Sequence, residues 1–263
     1  MLEPAPASMA DDKTNHATAA TAGWADFQQA QRYDVGGNRR FYGAAAVRLL
    51  ELAEPLAGRG LDLGCGTGFS LEALTRGAAR VTWTGVDGSR AMLERARRRF
   101  ARATLVQGRA ERLPFSDRSF DVVLANFSWH WFGPEAPREV MRVLRVGGSF
   151  LATVPLRRFS RIAGNRALGA ALMASRGCYA RRPSQGFRLN DLPAALPSEL
   201  RIDRLEAHAA VERFADAQAL LDVLGSRGAL AAIFGDEPPP VIETPSPVDF
   251  EWPFALLLAR RIA

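Results

Sequence analysis

The residues of this chain best suited to chemistry are a glycine turn and one acid. Leu61-Asp62-Leu63-Gly64-Cys65-Gly66-Thr67-Gly68-Phe69 carries a short apolar run into a glycine-dense turn, and Asp87 closes a second apolar run 23 residues beyond Gly64. Glycines let backbone amides come close to a ligand, and a carboxylate at the end of the following strand can accept from ribose hydroxyls. The pair therefore suits a nucleoside-bearing ligand at the carboxyl ends of parallel strands. Asp62, Cys65 and Gly88 fall within the same two segments as candidate contacts. Cys65 is read as a small filler of the turn, not a nucleophile.

Elements that could hold such a turn are visible on both sides of it. Trp24, Phe27, Ala30, Gln31 and Tyr33 recur as in a short amphipathic helix, and Phe41, Ala45, Leu49 and Leu52 mark a second one from about Arg39 to Leu52. Strands are expected at Gly60–Leu63, Val81–Val86, Leu105–Gln107, Phe120–Ala125 and Ser149–Thr153, with helices at Ser70–Arg76, Ala91–Phe100 and Ala136–Leu144. Strands alternating with helices of about ten residues imply right-handed crossovers and a parallel sheet covered on both faces. The alternation stops between Pro155 and Leu200, apart from a helical segment at Ala167–Ala174, and resumes with strand material at Leu200–Leu205 and Ala209–Arg213, a helix at Asp216–Leu224 and a closing strand at Phe254–Arg260.

The expected architecture is thus an α/β, doubly wound, mostly parallel seven-stranded Rossmann-like sheet with a helical cap inserted after the fifth strand. Its parts are a disordered tail over 1–22, a core over 23–156, a cap over 157–199, and a C-terminal part of the core over 200–263 with an antiparallel last strand. A length of 263 residues fits one α/β unit with an embellishment. No apolar stretch approaches the 18 or so residues of a membrane span, and the N-terminus lacks the regions of a secretory signal, so a cytoplasmic location is expected. Cys65 and Cys178 supply neither a disulfide framework nor a common zinc site, and no metal is expected. Net charge is +6, and Lys13 is the only lysine among 34 basic residues. That excess argues for solubility and loose polyanion attraction, and no specific nucleic-acid partner is expected.

Further segments narrow the reading. Leu113-Pro114-Phe115 precedes Phe120-Asp121-Val122-Val123, and Leu144-Arg145-Val146-Gly147-Gly148 precedes the fifth strand. With the glycine turn and Asp87, these residues resemble class I S-adenosylmethionine-dependent methyltransferases over roughly residues 60–155. The resemblance implies S-adenosylmethionine as cofactor, with Gly64, Gly66 and Gly68 in the turn at its methionine part, Asp87 at the ribose and the Gly108–Ala110 turn at adenine. Arg109 and Ala110 become candidate contacts, although the family commonly has an acid where Arg109 stands. Asn126 lies where residues face the transferred methyl; its plain alternative is to cap the strand end.

A longer resemblance runs through Phe27-Gln28-Gln29-Ala30-Gln31-Arg32-Tyr33-Asp34, Ala125-Asn126-Phe127-Ser128-Trp129-His130-Trp131, and Phe214-Ala215-Asp216 with Leu220-Leu221-x-x-Leu224-x-x-x-Gly228-Ala229. These look like the malonyl-acyl-carrier-protein O-methyltransferases of biotin synthesis. They imply a carboxylate acceptor on a small acid or a carrier-protein-bound malonyl group. Alignment of donor and acceptor can supply about 7–11 kcal/mol without acid or base, and a carboxylate is already ionised at neutral pH. A natural-product O- or N-methyltransferase would instead need a base, for which His130 is the candidate. A non-catalytic nucleoside-binding module is the alternative of another class, and Arg109 is the feature favouring it. Tyr33 and Trp24 are candidate lid residues. Trp131, Arg157 and Arg158 are candidate acceptor contacts, the arginines as forks for a carboxylate.

Overall fold

A computed structural model describes residues 27–53, 55–77, 80–100, 104–156, 161–174, 187–229 and 241–263. Two helices lead in, α1 (Phe27–Tyr33) and α2 (Gly36–Ala53). The core then alternates: β1 (Gly58–Leu63), α3 (Phe69–Gly77), β2 (Val81–Asp87), α4 (Arg90–Arg99), β3 (Thr104–Gln107), β4 (Phe120–Asn126), α5 (Ala136–Val143) and β5 (Leu144–Pro155). After it come α6 (Ala163–Ala174), β6 (Leu200–Phe214), α7 (Ala217–Ser226) and β7 (Val248–Arg261).

The strands form one seven-stranded sheet in the order β3-β2-β1-β4-β5-β7-β6. β1 to β5 pair in parallel, and β7 runs antiparallel to both β5 and β6. The expected sheet, strand number and antiparallel last strand are all present. Successive side chains of a strand face opposite sides, and the core divides accordingly. Val123, Ala125, Phe150, Ala152, Ala255 and Leu257 pack with Val140 and Val143 of α5 on one face. Val122, Leu124, Leu151, Leu256 and Leu258 pack with Leu49 of α2, Leu71 and Leu74 of α3 and Leu93 of α4 on the other.

Local chemistry fixes the helix starts nearest the site. Ser89 caps α4 by accepting from the Met92 amide at 3.2 Å, and Asp216 caps α7 by accepting from the Ala219 amide at 2.8 Å. In α4, Ala91, Met92, Leu93 and Ala96 are buried, while Arg97, Arg98 and Arg99 occupy the last turn, where cations favour the helix dipole.

Two expectations differ from the structure. The strand material at 200–205 and 209–213 is a single strand, held through its polar middle by unbroken pairing with β7, such as Glu206 with Leu256 and His208 with Phe254. The closing strand begins at Val248, six residues before the expected Phe254, and the extra length carries Val248 and Phe250 against Leu168 of α6 and Leu220, Leu221 and Leu224 of α7. Asn165 of α6 ties to this extension by donating to the Glu251 carbonyl at 2.9 Å and accepting its amide at 2.8 Å. The tail over 1–22 and Trp24 lie outside the described residues. Among the described residues, no helix is long and apolar enough to cross a membrane.

Candidate functional site

A cavity of about 580 Å³ opens at the carboxyl ends of β1, β2 and β3 and the turn after β4. That volume suits a small-molecule site. Sheet order accounts for its place: the chain leaves β1 toward β2 and later returns to β4 on the other side, parting the connections at that point.

One half of the cavity is built from the glycine turn and Asp87. Gly64 and Cys65 donate their amides to the Val86 carbonyl at 2.8 and 3.0 Å, which turns the chain out of β1. Gly66 has φ +54°, and a Cβ there would meet nothing nearer than Tyr33 Cε1 at 3.7 Å, so the missing side chain keeps the cavity open under that ring. Gly64 also lines the cavity, but its smallness serves packing, because a Cβ would stand 2.6 Å from Ser128 Cβ. Asp87 Oδ2 accepts from the Gly66 amide at 2.9 Å and Oδ1 from the Ser89 amide at 2.8 Å. Each oxygen keeps lone-pair capacity for a ligand hydroxyl. Burial raises the Asp87 carboxyl above its ordinary range, and the two amide bonds pull it back. Gly88, Ser89, Met92, Gln107, Gly108, Arg109 and Ala110 complete this wall.

The rim is braced from α5. Arg142 donates to the Leu113 carbonyl at 3.0 Å and the Phe115 carbonyl at 2.7 Å, and Glu139 accepts from the Leu113 amide at 2.6 Å. The loop that follows Gly108 is thereby fixed to the helix behind it. Arg109 points along the rim, 61% exposed, with Nε 3.2 Å from Glu111 Oε2.

The other half is aromatic. Tyr33, Tyr42, Phe127, Trp131 and Phe132 line it, together with Ser128 and Arg227. Phe127 has φ +50°, a left-handed backbone that costs a residue with a side chain about 1–3 kcal/mol. Hydrogen bonds from its amide to Thr153 O and Oγ1, at 3.0 and 2.8 Å, hold it there. Its ring packs on Phe41, Tyr42 and Phe254 at 5.1, 5.5 and 5.3 Å between centroids. Burial raises Tyr42 to about 12 and Tyr33 well above the ordinary phenol value, and the two hydroxyls hydrogen-bond to each other. Both phenols stay protonated at neutral pH, one hydroxyl donating to the other.

The site residues expected from sequence divide into three groups. Gly64, Gly66, Asp87, Gly88, Arg109, Ala110, Tyr33 and Trp131 meet at the cavity. Asp62, Cys65, Gly68, Asn126 and His130 do not line it. Cys65 is buried and fills space beside Gly85, and a Cβ on Gly68 would reach within 3.0 Å of Phe100, so both are packing residues. Asn126 is fully occupied, donating to the Tyr42 carbonyl and Ser70 Oγ at 2.9 Å each and accepting from Thr153 Oγ1, so the facing role expected for it gives way to strand-end bracing. His130 has Nδ1 sealed from solvent without a hydrogen-bond partner, and burial lowers its imidazolium to about 3. It is neutral and feebly basic at working pH, which removes the ground for a base role. Arg157 and Arg158 lie outside the described residues.

Asp62 is the unexpected member. It sits buried beneath the turn, with Oδ2 unpartnered among the described residues. Burial, with the Asp87 charge nearby, raises its carboxyl to about 8. The sequence reading missed Tyr42 and Arg227. Tyr42 adjoins Phe41 in the apolar stripe of α2, and Arg227 falls among the unread positions just before Gly228-Ala229.

Residues 61–152 match the methyltransferase domain family. The chain is 42% identical over 107 residues to a malonyl-[acyl-carrier protein] O-methyltransferase of Erwinia pyrifoliae, covering 40% of each chain. It is 40% identical over 121 residues to a fatty-acid O-methyltransferase of Mycolicibacterium smegmatis, covering 43% of each. It therefore spans about two fifths of the length of these curated relatives. Among solved structures, a SAM-dependent methyltransferase from Thermotoga maritima aligns with a TM-score of 0.51 at 18% identity, covering 85% of this chain and 91% of that one. At that identity the likeness speaks for the fold. The match to the methyltransferase domain family implies S-adenosylmethionine as methyl donor. The residues present fit it: Asp87 lines the cavity with lone pairs open to ribose hydroxyls, Gly66 leaves room under Tyr33, and behind the turn the buried Asp62 Oδ2 is without a partner among the described residues.

Proposed function

We propose that this chain, with its methyltransferase domain over residues 61–152, is an S-adenosylmethionine-dependent O-methyltransferase whose acceptor is a carboxylate, on a small acid or on a carrier-protein-bound acyl group such as malonyl. One observation carries the choice of acceptor: among the described residues, the aromatic half of the cavity holds no usable base. Tyr33 and Tyr42 stay protonated, His130 is neutral and off the cavity, and Glu111 is held at the rim, accepting from the Gly133 amide at 2.7 Å and from Arg109. A phenol, alcohol or ammonium acceptor gains about 10²–10⁴-fold from a positioned base. A carboxylate gains nothing from one.

When bound in the cavity, S-adenosylmethionine would supply a methyl activated by a positively charged sulfur, and an acceptor oxygen that is already ionised would need no proton removed by the protein. What remains for the protein is alignment and exclusion of water, which the aromatic walls and the Tyr33 lid provide. Names of the curated relatives, one acting on malonyl-acyl-carrier protein and one on fatty acids, support the same acceptor chemistry. Incubation with methyl-labelled donor and a panel of free acids, acyl-carrier proteins and phenols tests the reading. Base-labile label on an acid or an acyl chain is the expected result; label only on phenols or amines would overturn it.

A further inference from the structure

Arg227 is the one cation set into the aromatic half of the cavity among the described residues, and neither the domain match nor the glycine-turn motif reaches it. It follows the last turn of α7, with its side chain only 3% exposed. Its guanidinium carbon lies 4.1 Å from the centroid of Phe41 and 4.2 Å from that of Trp252. Nε donates to Asn38 Oδ1 at 2.8 Å, and the two terminal nitrogens donate to Glu212 Oε2 and Oε1 at 2.6 and 3.1 Å. A guanidinium has five N–H donors. Three are accounted for by these bonds, which leaves one on each terminal nitrogen.

We propose that Arg227 and the Tyr33–Tyr42 hydroxyl pair form the acid-recognising end of the acceptor subsite, so that the chain selects acceptors bearing a carboxylate on an apolar body. The proposal rests on the carboxylate reading above and assigns its specificity to residues. The Tyr33–Tyr42 pair has two O–H groups, one of them spent between the two oxygens, so it can offer an incoming anion one donor beside the two terminal N–H groups left on Arg227. Around them Phe127, Trp131 and Phe132 offer mainly aromatic surface, which suits a hydrocarbon or acyl chain. Glu212, which does not line the cavity, holds the arginine in place while remaining partly exposed, at 27% of its side chain, so water shares its charge when a second anion arrives. A structural pin alone would need the Glu212 and Asn38 bonds, but not a place on the cavity wall.

Binding of octanoate and octanamide, measured by calorimetry with S-adenosylhomocysteine present, tests this on the whole chain. Wild type should prefer octanoate. Arg227→Met should lose about tenfold or more of the octanoate affinity while leaving octanamide nearly unchanged, since a hydrogen bond to a charged group is the term removed. Glu212→Gln keeps the arginine and frees its terminal nitrogens, so it should tighten octanoate alone, and it carries the test if Arg227→Met fails to fold. Equal shifts for acid and amide in these variants would reduce Arg227 to a structural pin and overturn the inference. If S-adenosylhomocysteine binds wild type but no acid preference exists, the inference falls and the methyltransferase reading stands. If wild type does not bind S-adenosylhomocysteine, both fall.

Discussion

Asp62 is buried and His130 half-buried with its Nδ1 sealed, both are displaced in ways that favour the neutral form, and each makes a separate statement about pH. The Asp62 carboxyl titrates at about 8 in the fold, against an ordinary value of 3.8. Between those values the unfolded chain is ionised while the fold keeps its proton, so the fold binds more protons and stability falls as pH rises, levelling off above about 8. The slope is bounded by about 1.4 kcal/mol per pH unit. Asp62→Asn copies the protonated form and should remove this dependence. In urea unfolding of the ligand-free chain, variant and wild type should match near pH 4 and diverge in the variant's favour toward pH 8; a constant gap would refute the assignment. For His130 the expectation is silence. His130→Ala should change kcat/KM by less than a few-fold, and the wild-type profile should show no inflection in the ordinary imidazole range. A loss of about 100-fold or more would restore a base.

At the level of elements, the end of α1 is fastened to α4. Asp34, just after α1, receives Arg95 at 3.1 Å and Arg99 at 2.7 Å, and Arg99 also donates to the Thr67 carbonyl of the glycine turn at 3.0 Å. The latch joins the segment carrying Tyr33 to the turn beneath it. Asp34→Asn should speed S-adenosylhomocysteine release in stopped-flow displacement by up to about fivefold per ion pair, with little change in the thermal midpoint. Unchanged release would remove the lid role. Elements were also where sequence served best: β4 and β5 announce themselves as continuous apolar runs because both faces are covered, and the glycine turn shows itself through spacing alone. β6 did not, since an edge strand needs no apolar middle when β7 supplies its pairing. Arg227 was illegible for a different reason. Its partners Asn38, Phe41 and Trp252 are brought to it by α2 and β7, which no local pattern near residue 227 encodes.

Over the whole molecule, the sheet supplies a frame whose strand ends gather residues from Tyr33 to Arg227 around one cavity. The net charge of +6 is locally tempered by ion pairs such as Arg213 with Asp249 and Arg227 with Glu212. Ligand binding to the fold alone adds stability by mass action, about 2.7 kcal/mol at a hundredfold excess over Kd. Cavity, turn and Asp87 together make one claim, that the chain grips an adenosyl-methionine compound through its ribose. Calorimetric titration of wild type and Asp87→Ala with S-adenosylhomocysteine tests it most directly. The account predicts uptake of one equivalent by wild type and at least about tenfold weaker binding by the variant, the loss of charge-assisted hydrogen bonds; no uptake by wild type, or equal affinity in both proteins, would contradict it.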